Sequence, residues 1–379
     1  MLEKVAFKNF LALRDVEVDL EPFTVIVGPN ACGKSTLLEG IHRICSVKNG
    51  YADCLVQGGD FIPGRSNPKF SVDQIQSAGS KGTLVFSVAL SKNPLDNAIF
   101  TLAENKLFWH LTTSKLSNKP FGLNVSSVPG EVSQHTFSIF PNSIFLKLNG
   151  SRMAKASYSP EEKPYLEADG SGLATFCENL QEENPDAFQK IQDSLKNVIP
   201  LLQRFRIARE KIDWSGWVNT PEASKPQQPS VVGKKLVFDF KNASDVPADF
   251  VSEGTLISLA LLAATAGATD NHIVLLDDIE RGLHPQAIKD LIAQLRALQQ
   301  LNPGLQIVAT THSPYVLDYL EGHEIRVATH DPERGMLIAP LNKHPDFERW
   351  SEAMDPGQFW SHVGESWVAE LQEKTAADD

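Results

Sequence analysis

The stretch VIVGPNACGKSTLL, residues Val25 to Leu38, decides the fold. It fits the pattern GxxxxGK followed by Ser or Thr, which forms a phosphate-binding loop when a buried strand precedes it and a helix follows. The apolar run from Phe23 to Val27 predicts that strand, and apolar residues at helical spacing predict a helix from Thr36 to about Cys45. The alternative is a glycine-rich turn before an ordinary helix. Because every fixed position is present in its required context, the sequence predicts a nucleotide-binding loop.

Each residue type in this loop has a chemical reason. Glycines let the backbone turn its N–H groups toward phosphate oxygens, and the helix N-terminus adds the positive end of its dipole. Lys34 supplies a mobile point charge for the β- and γ-phosphates, and Ser35 offers a hydroxyl to Mg²⁺. The expected nucleotide-binding residues are Gly28, Pro29, Asn30, Ala31, Cys32, Gly33, Lys34, Ser35 and Thr36.

The composition describes a globular chain with a sizeable core. Of the 379 residues, 42% are hydrophobic and 22% are charged. No stretch approaches the roughly 18 uninterrupted apolar residues of a membrane span, so we expect no membrane partner. The opening MLEKVAFKNF predicts a strand rather than a signal peptide. The four cysteines lack zinc-like spacing and predict reduced thiols, as in a cytoplasmic protein.

The charge balance bears on nucleic-acid binding. The net charge of −12 disfavours non-specific wrapping of DNA, because such binding depends on neutralising phosphates. A local basic cluster nevertheless follows Pro200, formed by Arg204, Arg206, Arg209 and Lys211. Either a solvated face or a contact with nucleic acid or a partner accounts for it, so DNA stays an open partner.

The first half of the chain predicts antiparallel strands. Turn residues separate apolar runs, which is typical of hairpins. The predicted strands are Leu2 to Phe7, Val16 to Leu20, Thr83 to Leu90, Ala98 to Leu102, Lys106 to Thr112, Thr136 to Ile139 and Ser143 to Lys147. The first two are expected to start a mixed sheet with Phe23 to Val27. From about Gly170 the period becomes helical, and the Pro-rich stretch from Asp213 to Gly233 predicts a linker or mobile loop.

The second half alternates strands and helices. This alternation predicts right-handed crossovers and a parallel sheet. The predicted strands are Lys235 to Phe240, Ile273 to Leu276 and Gln306 to Thr310, and the predicted helices are Ser252 to Ala266, Pro285 to Leu298 and Tyr315 to Leu320.

A second chemical signal is HIVLLDDIERGLHP, His272 to Pro285. Its apolar run ends in Asp277, where a carboxylate at the end of a buried strand can orient Mg²⁺ beside Ser35. Asp278 follows, at the position of a carboxylate that activates water. The alternative is a pair of acidic residues that only cap a loop, yet neighbouring like charges are costly unless an ion compensates them.

Two further signals follow buried or apolar elements. Ser252-Glu253-Gly254-Thr255 opens a very apolar helix, and small residues at a helix N-terminus suit a phosphate, although an ordinary N-cap looks the same. His312 lies in the run ATTHSP, at the end of the next buried strand, where it can hydrogen-bond a γ-phosphate or the attacking water. The alternative for His312 is a satisfied structural histidine.

In this order the four signals resemble the ABC-type ATPases of the RecF, SMC-like and OLD-like group. Gly28 to Ser35 match the Walker A motif and Ile273 to Asp277 the Walker B motif. Ser252 to Thr255 are similar to the signature motif, with Glu253 where transporters usually have Gly. Gly282 to Pro285 resemble the D-loop, and His312 the switch histidine.

The resemblance covers about residues 1–345 and implies an α/β fold, a P-loop NTPase of the ABC-ATPase head type. It implies a mixed or antiparallel N-terminal lobe (1–160), a helical insertion with a linker (161–233) and a RecA-like parallel-sheet lobe (234–345). Residues 346–379 form an aromatic-rich extension with Trp350, Trp360 and Trp367. This extension is either a clasp on the head or a docking site for a partner.

The resemblance also implies ATP and Mg²⁺ as cofactors and a homodimer or higher homo-oligomer in which two heads enclose two ATP molecules. Lys34 and Ser35 of one subunit meet Ser252 and Gly254 of the other, and Ser35 and Asp277 hold the metal. The family's catalytic glutamate is replaced by Asp278, one methylene shorter, so we expect slow hydrolysis. Glu280 is a second acidic candidate, and His312 and Lys34 complete the catalytic set.

We therefore expect an ATPase that acts as a nucleotide-gated sensor or regulator of a separate protein effector, a nuclease or toxin, in phage defence or DNA maintenance. The motivation is a complete composite ATP site without a second active centre in the sequence. A DNA-repair clamp that holds DNA directly between its heads is the second hypothesis. A transporter subunit is disfavoured by the form of the signature motif and by the LHP turn.

Overall fold

The computed structural model describes residues 1–46, 84–90, 97–103, 106–112, 140–213, 230–268 and 271–378. The chain divides into two compact units. The first comprises Met1–Phe145, Asp270–Glu280 and Pro303–Asp379, and the second comprises Leu146–Thr269 and Arg281–Asn302.

The first unit is built on a six-stranded mixed sheet. Its strands are β3 (Phe23–Val27), β7 (Asn142–Leu146), β11 (His272–Leu276), β12 (Leu305–Thr311), β13 (Ile325–Asp331) and β14 (Gly335–Pro340), in the order β14-β13-β3-β12-β11-β7. The pairs β11–β12, β12–β3 and β3–β13 are parallel, and β13–β14 is antiparallel. The predicted parallel arrangement is confirmed for the strands Ile273 to Leu276 and Gln306 to Thr310, which fall in β11 and β12. It is wrong for the predicted strand Lys235 to Phe240, which pairs antiparallel with both of its neighbours in a separate sheet.

The parallel pairing positions the candidate site. Strands β3 and β12 are buried along their whole length, which is the pattern of a sheet covered on both faces. The carboxyl ends of parallel strands share one edge, where ligands bind in open α/β sheets. The phosphate-loop motif follows β3, the two aspartates follow β11, and His312 follows β12. The chain therefore brings these three segments to the same edge of the sheet.

A second sheet in the first unit is antiparallel. Its strands are β1 (Leu2–Phe10), β2 (Leu13–Asp19), β4 (Leu84–Leu90), β5 (Asn97–Ala103) and β6 (Lys106–Thr112), in the order β2-β1-β4-β5-β6. The expectation that β1 and β2 share a sheet with β3 was wrong. Along β2, buried and exposed residues alternate, as in an antiparallel strand with one solvated face, whereas β3 is buried throughout. The predicted strand Thr136 to Ile139 lies outside the described residues.

Helix α1 (Lys34–Ser46) begins inside the phosphate-loop motif, two residues before the predicted start. Its apolar face enters the core of the first unit. Leu37, Leu38, Ile41 and Ile44 are completely buried there with Phe7, Phe10 and Phe86. The loop thus lies between a buried strand and a buried helix, which fixes both of its ends.

The second unit combines helices with a three-stranded sheet. The helices are α2 (Gly150–Met153), α3 (Leu173–Glu183), α4 (Pro185–Val198), α5 (Glu253–Gly267) and α6 (Pro285–Leu301), and a 3₁₀ turn spans Ala248–Phe250. Helix α5 packs against α3, α4 and α6 and is buried on nearly every side, which explains its uniformly apolar sequence. The predicted helices around α5 and α6 are confirmed.

The sheet of the second unit corrects one prediction. Its strands are β8 (Leu202–Asp213), β9 (Ser230–Phe240) and β10 (Ala243–Pro247), in the order β10-β9-β8. Residues 230–233 belong to β9 and are therefore not a linker, and β8 lies where no strand was predicted. Exposure alternates from Arg209 to Asp213, but Arg209, Glu210 and Lys211 are three consecutive charged residues, so the sequence shows no period of two there. Residues 214–229 lie outside the described part of the chain.

The C-terminal part of the first unit is helical. Its helices are α7 (Pro314–Leu317), α8 (Phe347–Trp350), α9 (Pro356–Val363) and α10 (Trp367–Asp378), with a 3₁₀ turn at Leu341–Lys343. Phe359 and Trp367 are buried, and each has its ring centroid 5.1 Å from that of His344. These contacts favour the clasp over the docking site for this part of the extension. Among the described residues, no helix has the length and apolarity needed to cross a bilayer.

Candidate nucleotide site

Lys34 is folded back onto the loop that carries it. Its Nζ donates to the carbonyl oxygens of Gly28 and Pro29, at 2.9 and 2.8 Å, and lies 4.0 Å from Sγ of Cys32. Only 5% of Lys34 is exposed. Burial lowers the pKa of its ammonium, while nearby acidic groups oppose that shift. A buried ammonium that donates to neutral acceptors should bind a charged oxygen well, because charge-assisted hydrogen bonds are about twice as strong as neutral ones.

Three residues of the loop have positive φ values. These are 156° at Gly28, 63° at Ala31 and 110° at Gly33, and such backbone conformations also occur in anion-binding nests. A Cβ atom on Gly28 would lie only 2.1 Å from the carbonyl oxygen of Ala328. Glycine is therefore required at position 28 by a close backbone approach as well as by its φ angle.

Ser35 and Asp277 form an oxygen pair beside the loop. Oγ of Ser35 lies 2.9 Å from Oδ1 of Asp277, and Oγ1 of Thr310 donates to the same carboxylate oxygen at 2.8 Å. Asp277 is only 8% exposed. A hydroxyl and a carboxylate are the oxygen donors that Mg²⁺ prefers, so the donor set fits this metal.

Asp278 adopts a left-handed backbone conformation, with φ at 59°. Its N–H donates to Oγ1 of Thr310 at 2.9 Å, and the next N–H, of Ile279, donates to the carbonyl oxygen of Thr310 at 3.1 Å. Aspartate tolerates this conformation better than most residues. Thr310 thus fixes both aspartates. Sequence analysis missed this role, although a polar residue ending a buried strand was the available signal.

His312 lies between two carboxylates. Its Nε2 is 3.8 Å from Oδ1 of Asp278, and its backbone N–H donates to Oε1 of Glu280 at 2.7 Å. Oε2 of Glu280 is buried and makes no hydrogen bond within the described residues.

The predicted catalytic and metal-binding residues all lie in the first unit. They are Lys34, Ser35, Asp277, Asp278, Glu280 and His312.

The signature-like segment belongs to the second unit. Ser252 is the N-cap of α5, and its Oγ accepts from the N–H of Thr255 at 3.3 Å. Gly254 lies so close to the D-loop segment that a Cβ atom would be 2.3 Å from the carbonyl oxygen of Gly282. Ser252 and Gly254 are thus placed at one helix N-terminus, in a different unit from Lys34.

Glu253 links the same helix to its neighbours. Its Oε1 accepts from the N–H of Gly150 at 3.2 Å and lies 3.5 Å from Nε of Arg281, whose Nη1 donates to the carbonyl oxygen of Leu148 at 3.2 Å. The carboxylate therefore ties the first turn of α5 to the D-loop segment. Sequence analysis did not assign this role, and the departure from Gly at position 253 was the signal for it.

The basic cluster on β8 is partly neutralised within the fold. Nε of Arg204 and Nε of Arg206 lie 2.8 and 3.0 Å from Oδ2 of Asp239. The hydrogen bond from Arg206, assisted by the N–H of Asp245 and by Arg204, holds the pKa of Asp239 well below its usual range. Two of the four basic side chains thus have a structural partner, which favours the solvated-face interpretation.

Comparison with curated proteins gives two partial relatives. A segment of 44 residues is 49% identical to the OLD nuclease of Thermus scotoductus and covers 12% of this chain and 8% of that protein. A segment of 143 residues is 24% identical to the phosphate import ATP-binding protein PstB of Bifidobacterium longum and covers 32% of this chain and 55% of that protein. The matches span less than two thirds of either relative.

Solved structures show the same fold at low identity. A structure of the SmcHead bound to the C-winged helix domain of ScpA has a TM-score of 0.56 and 14% identity over 90% of this chain and 99% of that chain. An Smc head domain with an extended coiled coil, bound to the C-terminal domain of ScpA derived from Pyrococcus furiosus, gives 0.55 and 13% over 93% and 99%. The P-loop NTPase fold of the ABC-ATPase head type is confirmed.

The family assignment comes from a model that matches residues 23–318. The matched range begins at β3 and ends just after α7, so it includes all four segments that carry the predicted motifs. The predicted resemblance to the RecF, SMC-like and OLD-like group is confirmed. The chain belongs to the ATPase family described as AAA domain, putative AbiEii toxin, Type IV TA system.

Proposed function

We propose that this chain binds ATP with Mg²⁺ on the loop from Gly28 to Thr36, hydrolyses it slowly, and uses this cycle to join and release two copies of itself. The observation that carries the proposal is the buried ammonium of Lys34, held only by loop carbonyls and a thiol among the contacts described, beside the Ser35–Asp277 pair. In the presence of ATP, this ammonium exchanges neutral acceptors for phosphate oxygens.

Different groups around the loop would bind Mg²⁺ and the phosphate oxygens. Ser35 and Asp277 would hold Mg²⁺, and Thr310 keeps the Asp277 carboxylate turned toward Ser35. When bound, Mg²⁺ supplies positive charge that neutralises the charge developing on the β- and γ-phosphates. The turned peptide groups of the loop and the N-terminus of α1 add N–H donors for the same oxygens.

Hydrolysis needs a group that orients water and accepts its proton. We assign this role to Asp278, whose backbone is fixed by Thr310, and the role of contacting the γ-phosphate or the water to His312. Glu280 holds the backbone of His312 and leaves Oε2 as an acceptor for a donor that arrives with the ligand. Because Asp278 is one methylene shorter than glutamate, its reach toward the water is reduced, and slow turnover follows.

The second half of each site comes from a partner copy in this proposal. Ser252 and Gly254 lie at the N-terminus of the 15-residue helix α5, a suitable end for a γ-phosphate. The fold shared with Smc heads supports a composite site in a homodimer. ATP then acts as the bridge between two copies, and hydrolysis removes it.

We further propose that this cycle regulates a separate protein effector, a nuclease or toxin, in phage defence or DNA maintenance. The support is the local match to the OLD nuclease and the toxin–antitoxin description of the family. The motifs of this chain point to nucleotide chemistry alone. In this proposal the ATP cycle therefore acts by changing whether the dimer holds the effector.

Complementation tests the composite site. Lys34→Ala removes the loop cation, and Ser252→Asn replaces the hydroxyl with a larger amide while keeping a good helix N-cap. Each variant alone is expected to release no phosphate from ATP. Mixed in equal amounts, they form heterodimers with one intact site, so phosphate release returns to a fraction of the natural rate. If the natural protein hydrolyses ATP but the mixture stays inactive, the shared site is wrong.

A further inference from the structure

Helix α9 of the C-terminal extension is docked on α7, the short helix that begins two residues after His312. Both helices belong to the first unit, as does His312. The loop between His312 and α7 is short, because Ser313 is already the N-cap of α7. A displacement of α7 would therefore also displace His312.

Asp318 makes the first joint between the two helices. It is the C-cap residue of α7, and its Oδ1 accepts from the N–H of Gly357 at 2.9 Å. Gly357 lies in the first turn of α9, where N–H groups lack partners within the helix. The nominal N-cap of α9, Asp355, makes no side-chain capping bond. The carboxylate that caps α9 thus comes from the segment that follows the switch histidine.

Gly357 makes the second joint. A Cβ atom at this position would lie 2.0 Å from the carbonyl oxygen of Pro314 and 2.5 Å from Oδ1 of Asp318. The backbones of α7 and α9 therefore approach each other more closely than any residue other than glycine would permit at position 357. Alanine at position 357 requires the two helices to separate, since the obstructing atom at Pro314 belongs to the backbone.

The rest of the extension fixes α9 from its other side. Phe359 is 2% exposed and lies between the rings of His344 and Phe347, with centroids 5.1 and 5.4 Å away. Helix α10 continues onto the central sheet, where Nε2 of Gln372 donates to the carbonyl oxygen of Ile338 at 3.2 Å. Helix α9 is thus held between the switch segment and a buried aromatic cluster.

We propose that Asp318 and Gly357 are positioning residues for His312, and that the C-terminal segment 344–368 moves with the switch histidine when nucleotide binds. This inference rests on the proposed ATPase function. In this proposal the C-terminal extension has a role, because its movement makes a surface away from the phosphates respond to the nucleotide that is bound. The opposite end of the His312 backbone is held by Glu280, so the switch segment is fixed at both ends.

Steady-state kinetics test the positioning role. Asp318→Ala and Gly357→Ala are expected to lower kcat for ATP hydrolysis roughly tenfold while KM is unchanged, because the loop residues that bind ATP are untouched. Burial raises the pKa of Asp318, so its charge is not what the site favours. Asp318→Asn keeps an oxygen acceptor without that charge and is expected to retain the natural kcat. Asp355→Ala, which removes no capping bond, is the matched control.

Tryptophan fluorescence supplies a readout that a purely structural role would not change. Trp360 lies in α9, and its buried Nε1 makes no hydrogen bond within the described residues, so its emission is sensitive to movement of the helix. ATP is expected to change the emission of the natural protein. The change is expected to become smaller in Trp360→Phe, where Trp350 and Trp367 of the same segment remain, and to disappear in His312→Ala although that variant still binds ATP.

The outcomes separate the two proposals. If ATP is bound and hydrolysed but Asp318→Ala and Gly357→Ala keep the natural kcat, the positioning role is overturned and the ATPase stands. An emission change that survives in His312→Ala, or an equal loss of kcat in the Asp355→Ala control, also overturns it. A complete failure of the natural protein to bind ATP overturns both proposals.

Discussion

Oγ of Ser35 lies 2.9 Å from Oδ1 of Asp277, although 242 residues separate them in sequence. The parallel strands β3 and β11 end at one edge of the sheet, with β12 between them, and this arrangement brings the hydroxyl and the carboxylate together. The same edge receives Asp278 and His312. The site is therefore a consequence of strand order, and each side chain contributes at the end of its own strand.

Removal of the loop cation should weaken nucleotide binding. In Lys34→Ala the charged donor for the phosphates is gone, and the loss of one charge-assisted hydrogen bond weakens binding by about 2 kcal/mol, or roughly thirtyfold in Kd. Titration calorimetry with ATP and Mg²⁺ measures this loss. Lys8→Ala, at an exposed position on β1, is the matched control and should bind as the natural protein does. Equal affinities of the two variants would contradict the assignment of Lys34.

Asp278→Asn should stop phosphate release without lowering thermal stability. The amide cannot accept the proton of the attacking water, whereas asparagine tolerates the left-handed conformation at this position as well as aspartate does. Phosphate release and thermal unfolding, measured on the same sample, separate the two effects. Asp278→Glu adds the missing methylene and should raise the turnover rate, although its melting temperature should fall because glutamate fits positive φ less well. Unchanged phosphate release in Asp278→Asn would mean that another group activates the water.

Glu253→Ala should weaken ATP-dependent dimerisation and leave ATP binding by the single chain unchanged. The substitution removes the acceptor for Gly150 and the partner of Arg281, so the first turn of α5 loses its support. Glu253→Gln keeps an acceptor for Gly150 and should be mild, because exposed ion pairs contribute only about 0–1 kcal/mol. Sedimentation at a series of protein concentrations compares the dimer affinities. Identical affinities for the natural protein and Glu253→Ala would contradict the supporting role.

Stability should fall as the pH is lowered through the range of His344. Burial lowers the pKa of this imidazole, and its Nδ1 accepts from the N–H of Asp346 at 3.1 Å, a bond that requires the neutral ring. The unfolded state then binds more protons than the folded state below about pH 6.5, so the stability present above that pH is progressively lost.

Thermal melting from about pH 7.5 to about pH 5.5 measures this dependence. His344→Gln should flatten the lower part of the curve relative to the natural protein, since it removes the titrating group. His330→Gln, at an exposed position, is the control for the substitution of histidine by glutamine. A slope that does not differ between His344→Gln and the natural protein would exclude His344 as its source.

The parts of the molecule that depend on local pattern were predictable from sequence. Strand β3 and helix α1 are adjacent in the chain, and the motif between them fixes their order and spacing. Strand β11 contains the continuous apolar run from Ile273 to Leu276, and α6 has a clear apolar face. Because the strands end where polar residues begin, the proximity of Asp277 to Ser35 was also predictable, and the geometry agrees with it.

Features that depend on distant contacts were not predictable. Strand β8 carries three consecutive charged residues, Arg209 to Lys211, and its pairing with β9 decides its conformation. The paired residues of β1 and β4 are 77 or more positions apart in the sequence. A local hydrophobic pattern cannot predict such a pairing. The roles of Thr310, Glu253 and Asp318 also arise only when remote segments meet, because each side chain bonds to a backbone group far from it in sequence or in another element.

The mass of Asp278→Asn in solution with ATP and Mg²⁺, compared with its mass with ADP and Mg²⁺, shows whether the nucleotide joins two copies. We expect a dimer with ATP and a single chain with ADP, because the γ-phosphate bridges the loop of one copy and the Ser252 helix of the other. We expect a single chain in both nucleotides when Lys34→Ala is added. Asp278→Asn that binds ATP and keeps the mass of a single chain would contradict the proposal.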